Sequence, residues 1–170
     1  MLIAESERLI IKHLTEEDAA FILDIYNTEG FLQYIGDRNI RSLQDAKQFL
    51  IDSPLKMYRE KGISLYRVDL KETNTPIGLS GLIKRDTLQE IDLGYAFLPA
   101  YFGKGYALES ANLVLDYAKN TLGLERVLAI TQADNKSSIA LLKKLGMKYN
   151  GPHLLEDDDA DIDLYSLELE

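Results

Sequence analysis

Leu98-Pro99-Ala100-Tyr101-Phe102-Gly103-Lys104-Gly105-Tyr106-Ala107 carries a strand into a glycine-bearing loop and then into a helix with small residues on its buried face. Glycines let successive backbone N–H groups converge on one point, and the start of the helix adds positive potential there. The turn suits a phosphate or pyrophosphate. Taken alone, it also suits a plain strand–helix connection whose glycines only satisfy positive φ. Two familiar nucleotide loops do not match. A P-loop needs Gly-Lys followed by Ser or Thr, whereas Lys104 is followed by Gly105. A dinucleotide fingerprint needs glycine or alanine at position 108, where Leu108 stands.

Working outward, the spacing of Ala107, Ala111, Val114, Leu115 and Ala118 predicts a helix over 105–122. Residues 127–130 read as a buried strand. A short amphipathic helix over 137–145 follows, capped by Asn135 or Asp134 and closed by Gly146. Upstream, 64–70, 77–84 and 91–98 read as strands, and their short connections predict an antiparallel meander. The N-terminal part predicts a strand over 8–14 and a helix capped by Thr15 that fades over 27–30. A further helical stretch begins after Ser42, is interrupted at Pro54 and ends at Gly62. Residues 147–150 and 162–169 look like a closing strand pair. With no linker or repeat, the expectation is one α+β domain over 1–170 with a mixed sheet.

The chain has 170 residues, 46% of them apolar and 28% charged, an ordinary globular balance. Its 19 basic and 28 acidic residues give a net charge of −9, which argues against sequence-independent binding to nucleic acid or anionic membranes. The same acidity is compatible with a cationic amine substrate. Cysteine is absent, which excludes disulfides, thiolate metal sites and a cysteine nucleophile. His13 and His153, the only histidines, are too few for a histidine-rich metal site and receive no role. No metal is expected. The first residues lack a signal-peptide core, and no apolar run approaches the ~18 residues of a membrane helix. A soluble cytoplasmic protein is therefore expected.

Gly103-Lys104-Gly105-Tyr106-Ala107, taken with Asn135-Lys136-Ser137-Ser138 and Leu145-Gly146-Met147 at this separation, resembles the GNAT superfamily of acetyl-CoA-dependent N-acetyltransferases. Arg8-Leu9-Ile10-Ile11 with Thr15-Glu16-Glu17-Asp18, and Gly94-Tyr95 ahead of the loop, look like its RimJ/RimL branch, which includes enzymes acetylating N-terminal amines of ribosomal proteins. The resemblance covers about residues 7–168. It implies a mixed, mostly antiparallel twisted sheet flanked by helices, with acetyl-CoA as cosubstrate.

The resemblance also implies roles for particular residues. The pyrophosphate of coenzyme A would rest on backbone N–H groups of Gly103, Lys104, Gly105, Tyr106 and Ala107. Phe102 stands where the family has Gln or Arg. The segment Ala96-Phe97-Leu98 would pair with pantetheine through main-chain groups, and one N–H there would polarise the thioester carbonyl. Asn135 matches an asparagine that hydrogen-bonds the pantetheine arm.

An ammonium is no nucleophile, so a base must take the amine's proton, directly or through water. Glu90 and Asp92, two apart on a strand face shared with Gly94 and Ala96, resemble the family's base position; otherwise they are solvent-facing carboxylates. The family's usual acid, a tyrosine four residues before the glycine of the second motif, is Leu142 here. Ser138 or water would substitute for it, unless Ser138 is only a first-turn residue. Tyr34 and Tyr101 would line the acceptor side or simply pack. The run Glu156-Asp157-Asp158-Asp159-Ala160-Asp161 would border the acceptor cleft, or be a solvated loop.

The implied activity is acetyl transfer to a primary amine, on a protein N-terminus or a small molecule, by direct attack in a ternary complex. A homodimer is allowed but not specified. A competing reading, which rests on Leu142, is a non-catalytic acyl-CoA-binding sensor or regulatory protein. A structural protein with a vestigial fold would bind no coenzyme A at all.

Overall fold

The computed structural model describes residues 2–86, 88–153 and 162–170. Among these residues, eight strands form one sheet in the order β1-β2-β3-β4-β5-β6-β8-β7. They are β1 (Leu2–Glu5), β2 (Leu9–Lys12), β3 (Leu65–Leu70), β4 (Thr75–Ile83), β5 (Asp92–Phe97), β6 (Arg126–Gln132), β7 (Lys148–Pro152) and β8 (Ile162–Glu168). Every neighbouring pair is antiparallel except β5 and β6, which run parallel. The helices are α1 (Ala19–Tyr26), α2 (Glu29–Tyr34), α3 (Leu43–Leu50), α4 (Lys56–Lys61), α5 (Tyr106–Asn120) and α6 (Lys136–Lys144). The α+β class and the antiparallel β3–β4–β5 meander are as the sequence indicates.

Side chains alternate along a strand, so β5 serves two cores. Leu93 and Phe97 join Ala111, Val114 and Leu115 of α5 on one face. Ala96, with the following Leu98, packs against Ile22 and Ile25 of α1 and Leu50 of α3 on the other. Asp92 and Gly94 share the parity of Ala96 and therefore the α1–α3 face. Tyr95 takes the α5–α6 face. At about 3.3 Å per residue, β5 sets its first and last residues roughly 17 Å apart.

Several local expectations change. Strand β1, unread in the sequence, pairs with β2 through Leu2–Lys12, Ala4–Ile11 and Glu5–Ile10. Where the first helix was expected to fade, α2 begins instead. Asn27 ends α1 by donating its side-chain amide to the carbonyls of Leu23 (2.7 Å) and Ile40 (2.8 Å). Pro54 does not break its helix: residues Ile51–Leu55 widen into a π-turn that joins α3 to α4. Widening accommodates a residue with no N–H to give, and the Pro54 carbonyl accepts from Ser64 Oγ at 3.1 Å. Gly62, at φ +74°, closes α4 as expected.

Candidate active site

The parallel pair β5–β6 meets at a single register position, Asp92 opposite Leu128, with the Leu128 N–H donating to the Ile91 carbonyl at 2.9 Å. Beyond it the two strands part. A cleft of about 580 Å³ opens between them, walled by β5 from Asp92 to Phe97 and by Ile130 and Thr131 of β6.

The hydrogen-bond parity of β5 determines what its open edge offers. Leu98 donates its N–H to the Ile77 carbonyl on the β4 side at 2.9 Å, and the Ile91 carbonyl faces β6. Antiparallel strands alternate the direction of their backbone groups, so Tyr95 and Phe97 turn theirs toward the cleft while Ala96 bonds β4. Of the expected triad Ala96, Phe97 and Leu98, only Phe97 presents free main-chain groups, and Tyr95 joins it. An extended chain lying along this edge would find an unpaired strand to bond.

At the end of β5 stands the glycine loop. Gly103 (φ +75°) and Gly105 (φ +82°) adopt left-handed backbone, and Gly105 caps α5. Among the described residues, the N–H groups of residues 103–108 have no protein acceptor. Arg8 clamps this loop from β2's leading edge. Its Nη1 donates to the Lys104 carbonyl (3.0 Å), its Nη2 pairs with Glu109 (2.7 Å), and its guanidinium lies 4.4 Å from the Tyr106 ring centre. Turning the Lys104 carbonyl toward Arg8 points the Gly105 N–H the opposite way. A Cβ on Gly103 would meet nothing within 4 Å, so the loop's outer side is open. Free N–H groups, a helix start and open approach fit a pyrophosphate.

At the other end lies Asp92, 1% exposed. Its Oδ2 accepts from Arg85 Nε at 3.2 Å, and its Oδ1 has no partner among the described residues. Burial raises its pKa to about 6, against the opposing pull of the Arg85 guanidinium. A carboxylate so placed is half protonated at about pH 6, is mostly ionised at pH 7, and keeps one oxygen free to accept.

Across β5, the Tyr95 hydroxyl lies 2.7 Å from Ser138 Oγ, and both residues line the cleft. Burial pushes the Tyr95 hydroxyl up to about 12. Ser138 sits in the first turn of α6, where Asn135 Oδ1 accepts the Ser138 N–H at 3.3 Å. Asn135 is thus the helix cap; it also lines the cleft, and its Nδ2 has no bond among the described residues. Leu142 is fully buried with Ala129, Met147 and Tyr165. Tyr95 packs against this cluster and brings a phenol to the cleft from the strand instead of from the helix. The sequence reading gave Tyr95 no role. Strand alternation places it opposite Asp92, but nothing in the sequence says that Ser138 arrives beside it.

Other expected residues lie elsewhere. Glu90 falls in the bend before β5 rather than on the strand, outside the cleft lining, and pairs with Arg126 at 2.9 Å. Lys104 is not among the lining residues, and its carbonyl is turned to Arg8. Tyr34 and Tyr101 both line the cleft. The acidic run 156–161 lies outside the described residues. Among the described residues, no helix is long and apolar enough to cross a membrane.

Comparison with known proteins agrees with this geometry. The acetyltransferase (GNAT) domain family matches residues 8–148. The "Uncharacterized N-acetyltransferase YoaA" of Bacillus subtilis (strain 168) is 33% identical over 152 residues, covering 88% of this chain and 84% of its own. A GNAT-family acetyltransferase from Bacillus anthracis superposes with a TM-score of 0.81 at 24% identity, over 99% of this chain and 98% of that one. RimL, the ribosomal L7/L12 alpha-N-protein acetyltransferase solved with coenzyme A, gives 0.85 at 15% identity, over 99% and 98%. A strand pair that parts beside a loop of unbonded N–H groups, on a sheet of this order and over this span of matched sequence, places the chain in the GNAT acetyltransferase family.

Proposed function

We propose that this chain is an acetyl-CoA-dependent N-acetyltransferase of the RimJ/RimL-like branch. It works as a single domain over residues 1–170 in the cytoplasm and acetylates a primary amine on a protein N-terminus or a small molecule. The observation that carries this is the parted β5–β6 pair, with an open N–H loop at one end and a buried carboxylate with one free oxygen at the other.

Acetyl-CoA supplies the activated acetyl thioester. Backbone N–H groups of Gly103, Lys104, Gly105, Tyr106 and Ala107 hold its pyrophosphate, and Asn135 Nδ2 donates to its arm. The open edge of Tyr95 and Phe97 pairs with that arm, and an N–H there polarises the thioester carbonyl. Asp92 accepts the amine's proton through its free Oδ1, directly or by one water. Glu90, held by Arg126, is the second carboxylate to test. Tyr95 donates its hydroxyl hydrogen to Ser138, which frees the Ser138 proton to face the departing sulfur from the α6 side. Amine and thiol thus occupy opposite faces of β5.

The test is release of free thiol from acetyl-CoA across a panel of amines and N-terminal peptides, with the product mass checked for one added acetyl group. Coenzyme A binding with no turnover on any acceptor would favour the sensor reading. The Tyr95–Ser138 pair weakens that reading, because Leu142 was its only support.

A further inference from the structure

We infer that the acceptor is a primary amine that also carries an anionic group, a carboxylate or a phosphate, and that Arg38 and Arg85 bind that group. The inference rests on the acetyltransferase reading above and names its second substrate. Among the described lining residues are three cationic side chains, Arg38, Arg85 and Lys144, and one carboxylate, Asp92. Although the chain carries a net charge of −9, positive side chains outnumber negative ones among the described residues of the cleft where an ammonium must arrive. Alone, that arrangement repels the substrate; with an anion on the same molecule, it attracts and orients it.

The two arginines stand at the acceptor end. Lys144 comes from α6, on the opposite face of the sheet from α1 and α2. Arg85 gives only its Nε, to Asp92, and its two Nη groups have no partner among the described residues. Arg38 follows α2 and folds back over Gly36, its Nη1 3.1 Å from where a Cβ there would stand. It makes no hydrogen bond or ion pair among the described residues, whereas its neighbour Arg41 is tied to Asp37 and Asn27. Both arginines line the cleft beside Tyr26, and their charges oppose the rise that burial imposes on the Tyr26 hydroxyl's pKa. Two planar donor forks with unused N–H groups, lining the same cleft as a free carboxylate oxygen, match a ligand with an anion to bind and an amine to deprotonate.

The test uses acceptor pairs that differ in one group: an amino acid against its amide, an aminoalkyl phosphate against the plain alkylamine, and a peptide with an acidic second residue against alanine there. The anionic member should show at least tenfold higher kcat/KM, and the best pair identifies which anion is taken. Arg38→Gln should bring that ratio toward one, chiefly through the acceptor KM, with the KM for acetyl-CoA unmoved; Arg38→Lys should keep part of the ratio. Calorimetric titration of the same acceptors into the protein saturated with coenzyme A gives a readout without turnover. Turnover with equal or reversed preference would overturn the inference and leave the acetyltransferase reading intact. Arg38-dependent binding of the anionic members with no turnover would do the opposite. Neither turnover nor binding of any acceptor would sink both.

Discussion

The Tyr95 hydroxyl and Ser138 Oγ, 2.7 Å apart, tie the open edge of β5 to the first turn of α6. Tyr95 is held from behind by the cluster that contains Leu142, the residue standing where the sequence resemblance implies a tyrosine acid. Leu142 fills the helix position with apolar packing, and the phenol at the cleft comes from the strand. With the phenol pushed up to about 12, Tyr95 suits a hydrogen-bond donor that orients Ser138 better than a source of a free proton.

Tyr95→Phe should therefore lower kcat roughly tenfold, about 1.4 kcal/mol, with little change in the KM for acetyl-CoA. Ser138→Ala should cost at least as much, and the double variant should be no worse than Ser138→Ala alone. Steady-state kinetics of the cycle decide this, since residues acting through one bond are non-additive. Additive losses would separate the two hydroxyls.

Asp92→Asn should keep coenzyme A affinity and lower turnover by about 10²–10⁴-fold. In the wild type, the rate should fall as pH drops through about 6, where Asp92 becomes protonated and can no longer accept. The variant's pH profile should lack that limb. Near-normal turnover across pH would pass the role to Glu90 or to solvent.

The same carboxylate makes a stability prediction of definite sign. Its folded pKa, about 6, lies above its ordinary 3.8, so the folded state binds more protons between those values. Stability should then decline as pH rises from about 4 to 6. Asp92→Asn should raise the unfolding free energy at pH 7 by about 1–3 kcal/mol, a gain that vanishes below pH 4. Thermal melts at the two pH values check it.

Much of this was legible because it rests on alternation and punctuation. The three meander strands, α5, β6 and α6 stand within a few residues of their expected places, and Gly62 and Gly146 end helices where glycine should. What was missed depends on tertiary partners. Strand β1 is short and half-exposed, and it exists because β2 offers an edge. Helix α2 begins where Asn27 closes α1, so a local stop conceals a restart. In the cleft, alternation placed Asp92 on one face, but only the three-dimensional pairing shows that Phe97 and Tyr95, and not Ala96, face the parted edge.

Asn135 has two separable roles. Asn135→Asp keeps an acceptor for the Ser138 N–H and loses the Nδ2 donor, so it should fold normally and raise the KM for acetyl-CoA by roughly 2–10-fold. Asn135→Ala should add a stability loss of about 1 kcal/mol. Equal KM values for the wild type and Asn135→Asp would leave Asn135 as a cap alone.

Calorimetric titration with coenzyme A tests the glycine-loop site most directly, using Gly105→Val beside Gly123→Val. Both glycines have positive φ, +82° and +69°, so both variants carry backbone strain and should lose comparable thermal stability; only Gly105 borders the cleft. The wild type and Gly123→Val should bind coenzyme A alike, and Gly105→Val should bind at least tenfold more weakly. Wild-type protein that takes up no coenzyme A, or Gly105→Val with undiminished affinity, would contradict the account.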